Sequence, residues 1–215
     1  ADLAPVLDAV AKSLKKTRAT LRIYDPYYCD GAVIRHLGAL GFKMVLNTRV
    51  DFYGMVSCGR VPAYDVLVTN PPYSGDHMER LLKFVKGRRE PWAVLAPNYL
   101  YTKDYFTKIM GKLRPAFLTP NQRYKYWTPD TLRESKRERS TAPFISFWYI
   151  WLQDHDLMRS VVKSWRSPPT STNARMSASL KGLPQRMMAS RDPHRRRVRL
   201  KQRKARARAT APTTT

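Results

Sequence analysis

Cysteine is nearly missing from this chain: Cys29 and Cys58 are the only two in 215 residues. Two cysteines so far apart, outside any Cys-x-x-Cys spacing, build neither a disulfide framework nor a cysteine-ligated zinc site, and they fit a reducing compartment. Long apolar runs are missing too. Nothing approaches the roughly 18 apolar residues a membrane span needs, and no secretory signal stands out, so neither a membrane nor a metal is an expected partner. An intracellular address, mitochondrial or nuclear and nucleolar, is expected. Acid is the third shortage, with 16 Asp and Glu against 40 Lys and Arg for a formal charge of +24. The shortage is uneven. Residues 159–215 hold 16 basic side chains and one acidic, whereas residues 1–158 hold 24 and 15. A globular body is therefore followed by a polycation, and counterion release makes nucleic acid the usual partner of such a segment.

What is present gathers around residues 64–76, Tyr-Asp-Val-Leu-Val-Thr-Asn-Pro-Pro-Tyr-Ser-Gly-Asp. Val66, Leu67 and Val68 form the short apolar run of a buried strand, and Pro71 and Pro72 end it because neither can donate a ladder hydrogen bond. Proline also disfavours helical geometry in the residue before it, so Asn70 and Pro71 are held extended at the strand's carboxyl end beside the ring of Tyr73. Asp76 is placed to cap a helix, with Glu79 at the capping-box position and Met78, Leu81, Leu82 and Val85 as its apolar face. A strand, a rigid polar corner and a helix follow one another without slack.

That corner resembles the Asn-Pro-Pro-Tyr motif of the S-adenosylmethionine-dependent amino-methyltransferases, which methylate exocyclic amines of bases and, in some relatives, a glutamine amide. The resemblance implies a catalytic set of Asn70, Pro71, Pro72 and Tyr73. The Asn70 oxygen and the Pro71 carbonyl would accept hydrogen bonds from the amine, and Tyr73 would stack on the flat substrate. Positioning suffices, because the methyl sulfonium is already activated. A turn that merely follows a strand is the plainer reading of the same four residues.

Earlier in the chain, Ala4, Val6, Leu7, Val10, Ala11 and Leu14 recur at helical spacing. Residues 21–28 are β-prone and lead through Asp25, Pro26, Tyr27 and Gly31 into a helix over residues 32–40. The family's first strand ends in Asp-Pro-Phe and a glycine-rich loop. Asp25, Pro26 and Gly31 fall on that pattern and Tyr27 replaces Phe, but Cys29 stands where the middle glycine belongs, and a lost glycine tightens or closes a cofactor pocket. Residues 42–46 give a second strand, after which Asn47 occupies the place of the acid that holds the ribose hydroxyls. Asp51 and Phe52 resemble the Asp-Phe pair that brackets the adenine. They come too soon for a full intervening helix and strand, so a trimmed sheet edge and a short helix over residues 52–58 are expected. Phe52 is equally readable as a core aromatic.

Residues 92–95 form a strand, and residues 97–101 leave its carboxyl end near the same crevice. Tyr105, Phe106, Ile109 and Met110 make a helical face, and residues 116–118 begin another strand. In residues 123–127 Arg123 and Lys125 interleave with aromatics, which suits phosphates and stacked bases or, equally, a strand with one solvated face. Residues 130–142 are polar, a target-recognition loop or a solvated insertion, and residues 144–152 are an aromatic strand. From residue 164 the composition reads as a linker to about residue 190, followed by Arg195, Arg196, Arg197, Arg199, Lys201, Arg203 and Lys204 as nucleic-acid contacts or an import signal.

The expected fold is α/β: a Rossmann-like class I methyltransferase sheet, mostly parallel with one late antiparallel strand, over residues 1–158, with residues 159–215 a basic RNA-binding extension of disordered type. The resemblance implies S-adenosylmethionine as cofactor and RNA, ribosomal above all, as substrate. A second expectation keeps the fold and drops the turnover: an RNA-binding structural part of a ribosome or its assembly intermediate, beside ribosomal proteins.

Overall fold

The computed structural model describes residues 1–126 and 144–189. The polar segment 130–142 and the basic run 191–208 lie outside them. Among these described residues seven strands form one mixed sheet: β1 Arg22–Tyr24, β2 Met44–Leu46, β3 Val66–Thr69, β4 Trp92–Pro97, β5 Ala116–Pro120, β6 Ser146–Trp151 and β7 Ala174–Ser177. Their spatial order is β2-β1-β3-β4-β6-β5-β7. The pairs β1/β2, β1/β3 and β3/β4 are parallel, and β6 runs antiparallel to both β4 and β5, so β1 to β5 all point one way.

Among the described residues six α-helices cover the two faces: α1 Ala4–Ser13, α2 Ala32–Ala39, α3 Phe52–Ser57, α4 His77–Lys86, α5 Asp104–Met110 and α6 His155–Ser164. Side chains alternate along each strand, so every central strand feeds both layers. Val66, Val68, Ala93, Leu118 and Ile150 meet α1, α2 and α6, while Leu67, Trp92, Val94, Phe117, Phe147 and Tyr149 meet the faces of α3, α4 and α5. Strands covered on both sides need no polar face, which is why β3, β4 and β5 are buried from end to end. None of the helices among the described residues is long and apolar enough to cross a membrane.

Several expectations are corrected. The antiparallel strands number two, because β7 pairs antiparallel with β5 beyond β6. The segment read as a linker from 164 to about 190 belongs in part to the folded body. Its residues supply β7 and two one-turn helices, Leu180–Gly182 and Gln185–Met187, and Trp165, Ala174, Leu183 and Met187 are buried. The boundary drawn at residue 158 falls inside α6. Asp76 occupies the first position before α4, but its φ of −100° and ψ of 4° keep its carboxylate off the helix amides, so the capping box does not form. The first two strands are also shorter than expected. The short helix after Asp51 is present, and Asp51 caps it by accepting from the backbone N–H of Tyr53.

Candidate functional site

Because β1 to β5 are parallel, their carboxyl ends share one edge of the sheet, and there the expected residues gather. The ends of β1 and β3 are tied together: the Thr69 hydroxyl donates to Asp25 Oδ1 at 2.6 Å, and the Tyr27 amide donates to the same oxygen at 3.2 Å. Asp25 is 7% exposed. Burial raises its pKa to about 7, against the opposing pull of those two hydrogen bonds. Its carboxyl group therefore serves the turn rather than an open pocket. Asn47, also buried, donates from Nδ2 to the carbonyls of Asp25 (3.0 Å) and Tyr27 (3.2 Å), clamping the turn from the end of β2. Its Oδ1 is buried and takes no hydrogen bond. An acceptor left in that condition is uncommon in a folded chain.

Beside this turn lies an open cleft of about 490 Å³ whose walls include Pro26, Tyr27, Tyr28, Arg49, Asp51, Phe52, Tyr53, Pro72 and His77. Five expected site residues thus meet in one concavity: Pro26, Tyr27, Asp51, Phe52 and Pro72. Gly31 is not in its wall. It precedes α2 with φ +63°, and a Cβ there would meet only the Arg35 side chain at 3.9 Å. Cys29, which stands in place of the middle glycine, and its neighbour Asp30 are exposed and outside the cleft wall, whereas Tyr28, also exposed, lines the cleft. Phe52 answers both of its readings, being 3% exposed in the aromatic core and part of the cleft wall.

Sequence reasoning missed a polar chain across the cleft. The hydroxyls of Tyr27 and Tyr53 are hydrogen-bonded at 2.8 Å, Tyr53 Oη lies 3.1 Å from His77 Nδ1, and the Arg80 guanidinium sits 3.5 Å from the centre of the Tyr53 ring. Burial, then the bond to Tyr53, pushes the Tyr27 hydroxyl well above its ordinary pKa, so it stays protonated. Tyr53 directly follows the Asp51-Phe52 pair and His77 directly follows Asp76. Both lay in stretches read only for helix boundaries.

Asn70 and Tyr73 face the β4 side of the corner. Asn70 is exposed, and the Tyr73 hydroxyl donates to its Oδ1 at 2.5 Å, with the Leu95 carbonyl 3.2 Å from the same hydroxyl. Burial, followed by the neighbouring Tyr126, drives the Tyr73 pKa far upward, so this hydroxyl is a donor at any working pH. An amide oxygen has two lone pairs, and one remains for a substrate N–H. Tyr73, Phe144 and Tyr99 form a half-buried aromatic wall, with Phe144 edge-on to Tyr73 at 5.3 Å and to Tyr99 at 6.0 Å. Phe144 had been read only as the start of a strand.

Beyond the end of β5 the interleaved strip resolves into two faces. Tyr124 donates to Asp2 Oδ2 at 3.0 Å and the Tyr126 hydroxyl bonds Ser146, while Arg123 and Lys125 are exposed. Arg195, Arg196, Arg197, Arg199, Lys201, Arg203 and Lys204 lie outside the described residues. Among the described residues no cluster of His, Cys, Asp and Glu could hold a metal ion. Set against known protein families and against curated protein sequences, the chain matches none.

Proposed function

We propose that the chain is an S-adenosylmethionine-dependent N-methyltransferase with a Rossmann-like class I sheet, acting on an exocyclic amine of an RNA base, with ribosomal RNA the first candidate. The observation that carries this reading is the shared cleft: Pro26 and Tyr27 after β1, Asp51 and Phe52 after β2, and Pro72 after β3 line one concavity at the carboxyl edge. Its volume falls in the range of cofactor sites. Asn47 supplies a further mark of fit, because its unfilled buried Oδ1 stands at the place of the ribose-binding acid and would be satisfied by a hydroxyl donor once the turn opens slightly.

The bound cofactor would supply an activated methyl group. The protein's own work is then to hold and polarise the acceptor. Asn70 Oδ1 offers its second lone pair to the amine, the Pro71 carbonyl is the other acceptor, and Tyr73, Phe144 and Tyr99 offer ring surfaces to an unstacked base. Hydrogen bonds link Tyr27, Tyr53 and His77 along the cleft's far wall, and burial keeps the Tyr27 hydroxyl protonated at neutral pH.

A second reading keeps the RNA and removes the turnover. It is favoured by Asp25 and the Asn47 amide nitrogen being committed to the turn's own hydrogen bonds, and by Cys29 in place of a glycine. Titration calorimetry with S-adenosylmethionine separates the two. A micromolar dissociation constant, lost in Val50→Trp, supports the enzyme; Val50 borders the cleft and is 49% exposed, so the substitution fills the cleft without touching the core. No heat at millimolar cofactor supports the scaffold. Asn70→Ala should abolish methyl transfer while leaving cofactor affinity within about twofold, since side-chain contacts made only in the transition state act on turnover. A variant that still methylates normally would remove Asn70 from its role.

A further inference from the structure

The amino ends of β1 to β4 share the edge of the sheet opposite the cleft, and two runs without acids meet there. Residues 12–22, from the end of α1 to the start of β1, hold five Lys and Arg; residues 80–89, from α4 to the turn before β4, hold five more. Contacts join these runs into one row. Asp65, just ahead of β3, accepts from Lys16 Nζ at 2.6 Å and from the Arg22 guanidinium at 3.1 Å. Arg18 donates to the Leu40 carbonyl at the end of α2 (2.7 Å) and pairs with Asp8 at 2.6 Å. The Arg88 guanidinium lies 5.8 Å from the centre of the Tyr64 ring, next to Asp65, and pairs with Glu90 at 3.1 Å. Lys15, Lys43, Lys86 and Arg89 are exposed along the same edge and have no acidic partner among the described residues. The row crosses four strand ends, about 15 Å at roughly 4.8 Å per strand. It stops past β4, because β6 leads at this edge into the exposed Asp154 and Asp156.

We propose that this row is a second nucleic-acid surface, which grips the phosphate backbone of paired RNA at the pole of the sheet opposite the site. The rings decide between paired and unpaired RNA. An unpaired strand is held by bases stacking on open aromatic faces as well as by charge. Within the row Phe42, Tyr64 and Trp92 are buried, and Phe84 is half-buried with the Arg88 guanidinium 5.6 Å from its ring centre. Cations without open rings beside them meet phosphates and shape, which is how a paired RNA helix is recognised. Lys16, Arg18, Arg22 and Arg88 are held by the row's own acids and carbonyls, so Lys15, Lys43, Lys86 and Arg89 are the side chains left for phosphates. The RNA that serves this protein is then a folded one, with a helix at the amino edge and an unstacked base at the carboxyl edge. The RNA half of the proposed function underlies this inference; the methyl transfer does not.

The test uses the full chain, a fluorescent RNA hairpin of about 16 base pairs and polyuridine as the unpaired probe, with anisotropy read at several salt concentrations. The variant replaces Lys15, Lys43, Lys86 and Arg89 together by Gln; all four are exposed, so its melting temperature should stay within about 2 °C of wild type. Its affinity for the hairpin should fall about tenfold or more, and the slope of log affinity against log salt should flatten by about three to four. Polyuridine affinity should change by less than about threefold, since unpaired RNA depends on rings that the row does not offer. Replacing the exposed Lys163, Arg166, Lys181 and Arg186 by Gln removes the same charge elsewhere and should leave the hairpin slope within about one unit of wild type. Equal losses in the two variants would reduce the row to net charge and overturn it, as would an unchanged hairpin slope in the first. Losses on polyuridine equal to those on the hairpin would overturn the paired-RNA assignment. Binding to phosphatidylserine vesicles that the four substitutions abolish, with hairpin affinity unmoved, would give the row to a membrane instead. A wild type that binds neither RNA removes the RNA half of the proposed function, whereas one that binds both with the row silent removes the row alone.

Discussion

Asp25 shows how one buried carboxyl group can be read as a thermodynamic probe. Its pKa stands near 7 in the folded chain because burial outweighs the hydrogen bonds from Thr69 and Tyr27, whereas an unfolded Asp titrates near 4. The native state therefore holds a proton that the unfolded chain has released at intermediate pH. The stability this contributes is complete below about pH 4 and is lost as pH rises to about 7, with a ceiling on the order of 4 kcal/mol. Asp25→Asn keeps an oxygen for both donors and cannot ionise. Thermal unfolding should find the variant more stable than wild type at pH 8 and nearly equal at pH 4. A constant difference across that range would mean that Asp25 ionises freely in the native protein. Asp65 provides the opposite case. Burial pushes its pKa up, but hydrogen bonds from Lys16 and from the backbone and guanidinium of Arg22 outweigh that and hold it below the ordinary value. Its stabilising share is present above about pH 4 and is lost as pH falls through the depressed value. Asp65→Asn should cost about 2 kcal/mol at neutral pH by leaving those donors without a charged acceptor, as denaturant titration would measure.

Elements differ in how openly the sequence declares them. β3, β4 and β6 are continuous apolar or aromatic runs buried on both faces, and that pattern has few other solutions. β7 carries no such run. Ala174-Arg175-Met176-Ser177 pairs with one neighbour at the sheet's border, and only its first and last residues are buried, so its strand character comes from β5's free ladder rather than from its own side chains. The proline-bracketed corner at Asn70 was legible because local backbone rules fix it. The Tyr27, Tyr53 and His77 chain was not, since hydrogen bonds between residues 26 and 24 positions apart leave no local periodicity. A prediction at this scale separates a body from a linker. Truncation after residue 173 removes β7 and the burial of Leu183 and Met187, and should lower the melting temperature by roughly 10 °C or prevent folding, each lost buried side chain costing about 2–4 kcal/mol. Truncation after residue 189 should leave the melting temperature within about 2 °C, for it removes no buried side chain of the described body. Equal melting temperatures for the two truncations would return residues 174–189 to the status of a tether.

At the scale of the whole molecule the charge is divided between two jobs. The first 158 residues carry a surplus of nine cations, and among the described ones Lys16, Arg18, Arg22, Lys83 and Arg88 are already paired with acids. The last 57 carry a surplus of 15, ten of their cations packed into residues 191–208. Exposed pairs are worth little in water, but they do neutralise the body, so it contributes fewer cations to a phosphate chain than its composition suggests. Counterion release then assigns most of the salt dependence of RNA binding to the tail. If about six of its cations meet phosphates of a single strand, the slope of log affinity against log salt is steeper by about four with the tail than without it. Deleting residues 191–215 should therefore weaken binding and flatten that slope, while Arg123→Ala with Lys125→Ala should flatten it by only one to two, at about 0.7 per phosphate contact. Filter-binding or anisotropy titrations at several salt concentrations measure both. A slope that the deletion leaves unchanged would move RNA recognition onto the folded body, where Arg123 and Lys125 at the carboxyl edge would have to carry it.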